Sequence, residues 1–174
     1  EHALDNREVY IDGNWYSTSG GELVTNGTFD TDIASWVLSE GSGTTILSHY
    51  KGGLRFQRNG AVTSGKITQS FTTVIGETYI FKYNAANLVE SSVIYLNSLL
   101  LVANTVSGQF TYNFIATSTT TVIGLAGAGT AADIVYDNIS VFKLEPTIDT
   151  LQLPHTYLSN KGKLAGIEVA NGIP

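Results

Sequence analysis

Gly60-Ala61-Val62-Thr63-Ser64-Gly65-Lys66 has the spacing of a phosphate-binding loop, where backbone N–H groups and a lysine cradle phosphates. That chemistry needs a hydroxyl residue directly after the lysine to hold magnesium, and a helix whose first amides face the phosphates. Ile67 stands at the hydroxyl position, and Ile67 to Val74 reads as a strand, so the segment is a hairpin loop. Gly127-Ala128-Gly129-Thr130-Ala131-Ala132 has the outline of a dinucleotide fingerprint. It leads into Ile134-Val135-Tyr136, a second strand and not a crossover helix, and so reads as a flexible turn. Asp30-Thr31-Asp32 begins like a calcium loop. Ser35 and Gly41, however, fill the positions where an EF-hand needs glycine and a bidentate glutamate.

His2, His49 and His155 share no metal-ligand spacing, and a serine-hydrolase elbow is absent. Glycoside hydrolysis needs two facing carboxylates. The strand-rich middle offers Glu77, Glu90, Asp133 and Asp137, the first two beside turns, and solvation is their default role. The expected protein is not an enzyme. Asn26-Gly27-Thr28 and Asn138-Ile139-Ser140 are formal glycosylation triplets, which arise easily in a chain rich in Ser and Thr.

The elements that would position these residues are strands. Of 174 residues, 43% are apolar but only 14% are charged, against ~25% in an average soluble protein. Thr, Ser, Asn and Gly take the place of charge, a usage that suits pleated strands and tight turns. The net charge is −6 with no run of Lys or Arg, which argues against a nucleic-acid partner. There is no cysteine, hence no disulfide and no thiolate chemistry. The most apolar run, Val93 to Ala103, is broken by Asn97-Ser98 and is shorter than the ~20 residues of a spanning helix, so membrane insertion is not expected. The chain starts at Glu1 and contains no Met, from which a processed or incomplete product is expected.

Three zones follow. Residues 1–21 carry a short hairpin, Val9-Tyr10-Ile11 and Trp15-Tyr16 around Asp12-Gly13-Asn14, and read as an arm or linker able to pair with a neighbour. Residues 22–144 are dense in two-residue alternation: Leu54 to Gln57, Tyr79/Phe81/Tyr83, Phe110/Tyr112/Phe114, and, less regularly, Val122, Gly124 and the following Leu125. Turns recur roughly every 8–12 residues, the rhythm of a sandwich or barrel. Residues 145–174 are Gly- and Pro-punctuated and too short for a core of their own, and read as a second arm.

Leu23-Val24-Thr25-Asn26-Gly27-Thr28-Phe29-Asp30 with Trp36 resembles the opening of the jelly-roll carbohydrate-binding modules, the galactose-binding-like β-sandwich group. Tyr136-Asp137-Asn138-Ile139-Ser140-Val141 is similar to their closing strand. Gln69 through Gly76-Glu77-Thr78-Tyr79 and Phe114 to Thr119 match internal pieces in the same order. The resemblance spans about Glu22 to Leu144. It implies an all-β, antiparallel jelly-roll sandwich whose first and last motifs lie side by side, with terminal arms outside it. It also implies a structural calcium held by Asp30 and Asp137, and a core role for Trp36.

If Tyr79, Phe81 and Tyr83 face the core, Lys82 and Asn84 lie on the opposite face, joined by Arg55 and Gln57. These polar groups, with Asn87, Tyr95 and Tyr50, are the candidate sugar-binding residues. The expected function is non-catalytic adhesion to a polysaccharide or cell-surface glycan, on an extracellular or virion surface. The alternative is a structural decoration protein of a phage particle whose arms lock it to neighbouring subunits.

Overall fold

The computed structural model describes residues 8–11, 14–39, 45–60 and 65–146. Every regular element there is a strand: β1 (Glu8–Ile11), β2 (Asn14–Ser19), β3 (Val37–Ser39), β4 (Thr45–Tyr50), β5 (Gly53–Arg58), β6 (Lys66–Thr72), β7 (Thr78–Val89), β8 (Ser92–Leu96), β9 (Leu99–Asn104), β10 (Gly108–Ile115), β11 (Thr120–Gly127) and β12 (Asp133–Pro146). No helix among the described residues is long and apolar enough to cross a membrane.

The strands form two antiparallel sheets. The smaller runs β3-β6-β11-β8-β9. The larger is organised by β12, which pairs with β7 along one edge. Its other edge takes β5 at Asp133 to Tyr136 and β2 at Lys143 to Pro146. β10 lies outside β7, β4 outside β5 and β1 outside β2. The fold is thus the all-β antiparallel sandwich expected from the alternation. The N-terminal hairpin is not a free arm, because β2 extends the larger sheet of its own chain. The Asp12-Gly13 turn and all residues of the C-terminal arm after Pro146 lie outside the described residues.

Period-two alternation decides which side chains meet between the sheets. Tyr79, Phe81 and Tyr83 are buried as expected, facing Ile67, Ile94 and Leu125 of the smaller sheet within one core. On β11 Ile123 and Leu125 are the inner residues, whereas Val122 and Gly124 face outward. Trp36 is buried against Phe29 at 5.7 Å between ring centroids, and its indole N–H donates to the Asn26 carbonyl at 3.0 Å. The connections carry their own geometry. Asn97 and Ser98 both have positive φ (48° and 68°), the conformation a two-residue hairpin between β8 and β9 demands.

The first and last motifs sit together. Leu23 N–H donates to the Val141 carbonyl at 3.0 Å and Ile139 N–H to the Gly27 carbonyl at 2.9 Å. Gln69 closes the opening loop from the side, accepting from Thr25 N–H at 2.7 Å and donating to the Thr25 carbonyl at 2.8 Å.

Candidate functional site

Each sheet has an outer face, and the candidate residues divide between them. On the larger sheet, the register places Asp133 beside Gln57, Val135 beside Arg55 and Ala86, Asp137 beside Asn84, and Ser140 beside Lys82. Arg55, Gln57, Lys82 and Asn84 therefore share a face, as the alternation requires. The structure commits two of them elsewhere. Arg55 makes a two-pronged ion pair with Asp133 (2.8 and 2.6 Å), Gln57 donates to the same carboxylate at 3.3 Å, and the guanidinium lies 4.6 Å from the Tyr50 ring centroid. The Arg55 hydrogen bonds hold the Asp133 carboxyl below the ordinary carboxylate range.

Asn84 is different. Its Oδ1 is buried without a partner, and it borders a groove of about 420 Å³ with Gln109, Val135 and Asp137. A neighbouring hollow of about 520 Å³ adds Lys82, Thr28 and Asn138. Asn87 lies on β7 opposite Ile134, and its side chain is outside the described residues.

Asp137 reaches this face because β12 bulges. Two residues of β12 are accommodated between Asp137 and Ser140 with Asn138 at φ 50°, so Ile139 turns into the core while Asp137 and Ser140 both face out. Burial raises the Asp137 carboxyl above its ordinary range and the charge of Asp30 adds to this, against a lowering hydrogen bond from Asn138 N–H. The two acids expected to hold calcium are thus close enough to repel. Neither is ion-paired among the described residues. Two uncompensated carboxylates suit a hard cation in kind. No cluster of three or more His, Asp or Glu occurs among the described residues, so neutral oxygens would have to complete a shell.

Without metal, a proton relieves the repulsion. The folded state binds that proton more tightly than the unfolded chain, so ionised Asp137 costs stability at neutral pH, and the cost fades as pH falls through the raised value. In chelator, Asp137→Asn is expected to melt above the parent near neutral pH, by less than about 1 kcal/mol of stability, with the gain vanishing in acid. Thermal melts across pH measure this, and a gain that persists in acid would contradict it.

The outer face of the smaller sheet is built around one glycine. Gly124 is buried in mid-strand, and a Cβ there would stand 3.3 Å from Tyr95 Cβ, 3.6 Å from Lys66 Cδ and 3.7 Å from Thr68 Cγ2. With Ala126 beyond it, β11 offers a low floor across which the side chains of β8 and β6 can lie. Tyr95 does so, with the Lys66 ammonium 4.2 Å from its ring centroid. A hollow of about 330 Å³ lies on one side of this pair, bordered by Arg58, Val93, Leu100 and Ala126. Another of about 240 Å³ lies on the other, bordered by Ser39, Thr68, Ser98 and Val122.

Tyr95 is therefore separated from Arg55, Gln57, Lys82 and Asn84 by the thickness of the sandwich. Its actual companions, Lys66, Thr68, Ser39 and Ser98, are not among the sugar-binding candidates read from the sequence. The available signal is Gly124 itself, since a glycine inside a strand pattern marks a close approach.

No protein-family model matches the chain, and no curated protein matches it in sequence. Solved structures do match. A CBM4 carbohydrate-binding module is 18% identical with a TM-score of 0.57, covering 69% of this chain and 99% of that one. A CBM22-1 xylan-binding domain from Paenibacillus barcinonensis is 11% identical with a TM-score of 0.53, covering 73% of this chain and 97% of that one. The enzymatically active domain of bacteriophage CBA120 tailspike protein 4 is 10% identical with a TM-score of 0.53, over 70% of this chain but only 21% of that one. At such identities the likeness is one of fold: the chain has the jelly-roll sandwich of carbohydrate-binding modules.

Proposed function

We propose that the protein binds a glycan, without chemistry, on the outer face of the smaller sheet. The observation that carries this is Tyr95, laid across a trough floored by Gly124 and Ala126 and flanked by Ser39, Thr68, Ser98 and Lys66. An aromatic face takes the apolar face of a sugar ring, and hydroxyl and ammonium groups at its sides take the ring's hydroxyls. A binding role rather than hydrolysis is supported by the trough's lining, which contains no carboxylate among the described residues. Sandwiches of this fold in the CBM4 and CBM22-1 neighbours are carbohydrate- and xylan-binding, which agrees with the reading. In this role the module would work at an extracellular or virion surface, adhering to polysaccharide.

The groove of the larger sheet, with Lys82, Asn84 and Gln109, is the alternative seat for the same ligand. Affinity electrophoresis through gels containing plant, bacterial and algal polysaccharides separates the two. Retardation should survive Lys82→Ala and Asn84→Ala but not Tyr95→Ala. Retardation in no gel would remove glycan binding altogether. Asp30 and Asp137 are proposed to take a structural calcium, which would replace their mutual repulsion by attraction. Calcium should then raise the melting temperature of the parent but not of Asp137→Asn, and equal responses would dismiss the site.

A second reading, assembly into a particle, is favoured by Tyr10 and Trp15. Their rings meet in a tilted contact, 5.1 Å between centroids, on the edge hairpin, and they are 59% and 55% exposed. Such a pair at a sheet edge with no further strand among the described residues suits a contact with a neighbouring subunit. Sedimentation of the Tyr10→Ser, Trp15→Ser double variant should then show a smaller species than the parent. Two monomers would dispose of this reading.

A further inference from the structure

The hollow beside Tyr95 has an electrostatic character opposite to that of the chain as a whole. The protein carries a net charge of −6, yet the charged residues bordering this hollow are Arg58 and Lys66, both cationic. Arg58 is only 6% exposed. Among the described residues its guanidinium donates only to carbonyls: Nη1 to Gly127 at 3.0 Å and Gly129 at 3.1 Å, Nη2 to Gly65 at 3.0 Å. Its Nε is buried with no hydrogen-bond partner among the described residues, and the guanidinium lies 5.2 Å from the Phe56 ring centroid. Carbonyl dipoles orient a guanidinium but do not neutralise it, and a buried cation lacking a counter-charge is costly to the fold. Lys66 is likewise unpaired by any acid among the described residues, and rests over the Tyr95 ring instead. Glu90 lies over Gly129 at the rim, accepts from Ala131 N–H at 3.3 Å, and pairs with neither cation.

We infer that the ligand supplies the missing negative charge, and that the site selects an anionic sugar over its neutral counterpart. The inference rests on the reading that this face binds glycan, and it names the class. A ring stacked on Tyr95 would hold its carboxylate or sulfate ester within reach of the Lys66 ammonium. Arg58, whose Nη1 and Nη2 already donate to carbonyls and whose Nε is buried, contributes by its field and acts as a positioning charge. A cation working against a net-negative background must act at short range, because repulsion from the rest of the chain is screened beyond a Debye length of roughly 10 Å at ordinary salt. The site should therefore discriminate by direct contact rather than by long-range attraction.

The test is calorimetry or affinity electrophoresis on the full chain with matched pairs. Homopolymers of glucuronate, galacturonate and mannuronate are compared with their carboxyl-reduced forms, and a sulfated galactan with its desulfated form. At least one anionic member is expected to bind about tenfold or more tightly than its neutral partner, a difference of ~1.4 kcal/mol. That preference should shrink as salt rises from about 50 to about 500 mM. It should be lost in Lys66→Gln, kept in Lys66→Arg, and kept in Lys51→Gln, which removes an equal charge from an exposed turn. The pair that responds distinguishes carboxylate from sulfate. Neutral forms binding as tightly as every anionic form would overturn the inference while leaving glycan binding intact. A preference that survives Lys66→Gln would overturn it too, and binding of no polymer would bring down both.

Discussion

Gly27→Ala is expected to prevent folding or to remove on the order of 3–5 kcal/mol of stability, among the largest losses that one added methyl group would cause at a described glycine. A Cβ at position 27 would lie 1.9 Å from the Ile139 carbonyl oxygen and 3.0 Å from the Ile139 carbonyl carbon. The obstacle is backbone, so no rotamer change relieves it. The backbone in question is where the opening loop meets the closing strand: Ile139 N–H donates to the Gly27 carbonyl at 2.9 Å. On the same seam Glu22 Oε1 accepts from Val24 N–H at 3.0 Å and Val141 N–H at 2.7 Å. Moving Ile139 aside would strip these bonds and draw the buried Ile139 side chain out of the core. Denaturant melts of Gly27→Ala beside Gly21→Ala measure the effect. Gly21 has open space where a methyl group would be added and no positive φ, so its variant should stay within about 0.5 kcal/mol of the parent. A Gly27 variant as stable as the Gly21 variant would mean that the two ends of the sandwich do not meet as described.

The second large effect is functional. Tyr95→Ala should weaken glycan binding by about 30-fold or more, roughly 2 kcal/mol, because the ring is both the stacking surface and the wall between the two hollows. The variant should stay folded at a moderate cost in stability, because the partly buried ring lies beside the Lys66 ammonium and also packs against the margin of the core. Tyr95→Phe should retain most of the affinity, since the face and not the hydroxyl does the stacking. Were Tyr95→Ala to bind as the parent does, the trough would lose its role.

What can be read from the residues, and what cannot, divides along a physical line. Alternation is local, so the inward facing of Tyr79, Phe81 and Tyr83 follows from three residues in a row of five. The adjacency of the Asn26-Gly27 and Asp137-Asn138 motifs follows from the resemblance of both ends to one kind of sandwich. Trp36 is legible for the same reason. The seat of a ligand is not, because alternation assigns a side chain to a face of its strand without saying which sheet that strand joins. Tyr95 and Lys82 fall into one candidate set by sequence although β8 and β7 belong to different sheets.

Pairings across long stretches of chain are equally hidden. Arg55 meets Asp133 only because β5 and β12 are neighbours, and that contact takes Arg55 out of the set of free hydrogen-bonding groups. The bulge that turns Asp137 outward has no periodic signature, since it is a break in the period itself. The joining of β2 to β12 depends on the length of β12 beyond the sandwich motif, which runs to Pro146.

The account turns on which outer face meets the ligand, and amide chemical-shift mapping of the isotope-labelled protein answers this in one titration. A polysaccharide fragment that retards the parent in gels is added stepwise. The predicted result is a set of shifts centred on Lys66, Thr68, Tyr95 and Gly124, saturating together. Shifts centred on Lys82, Asn84 and Gln109 instead, or none above those of a non-binding sugar, would contradict it.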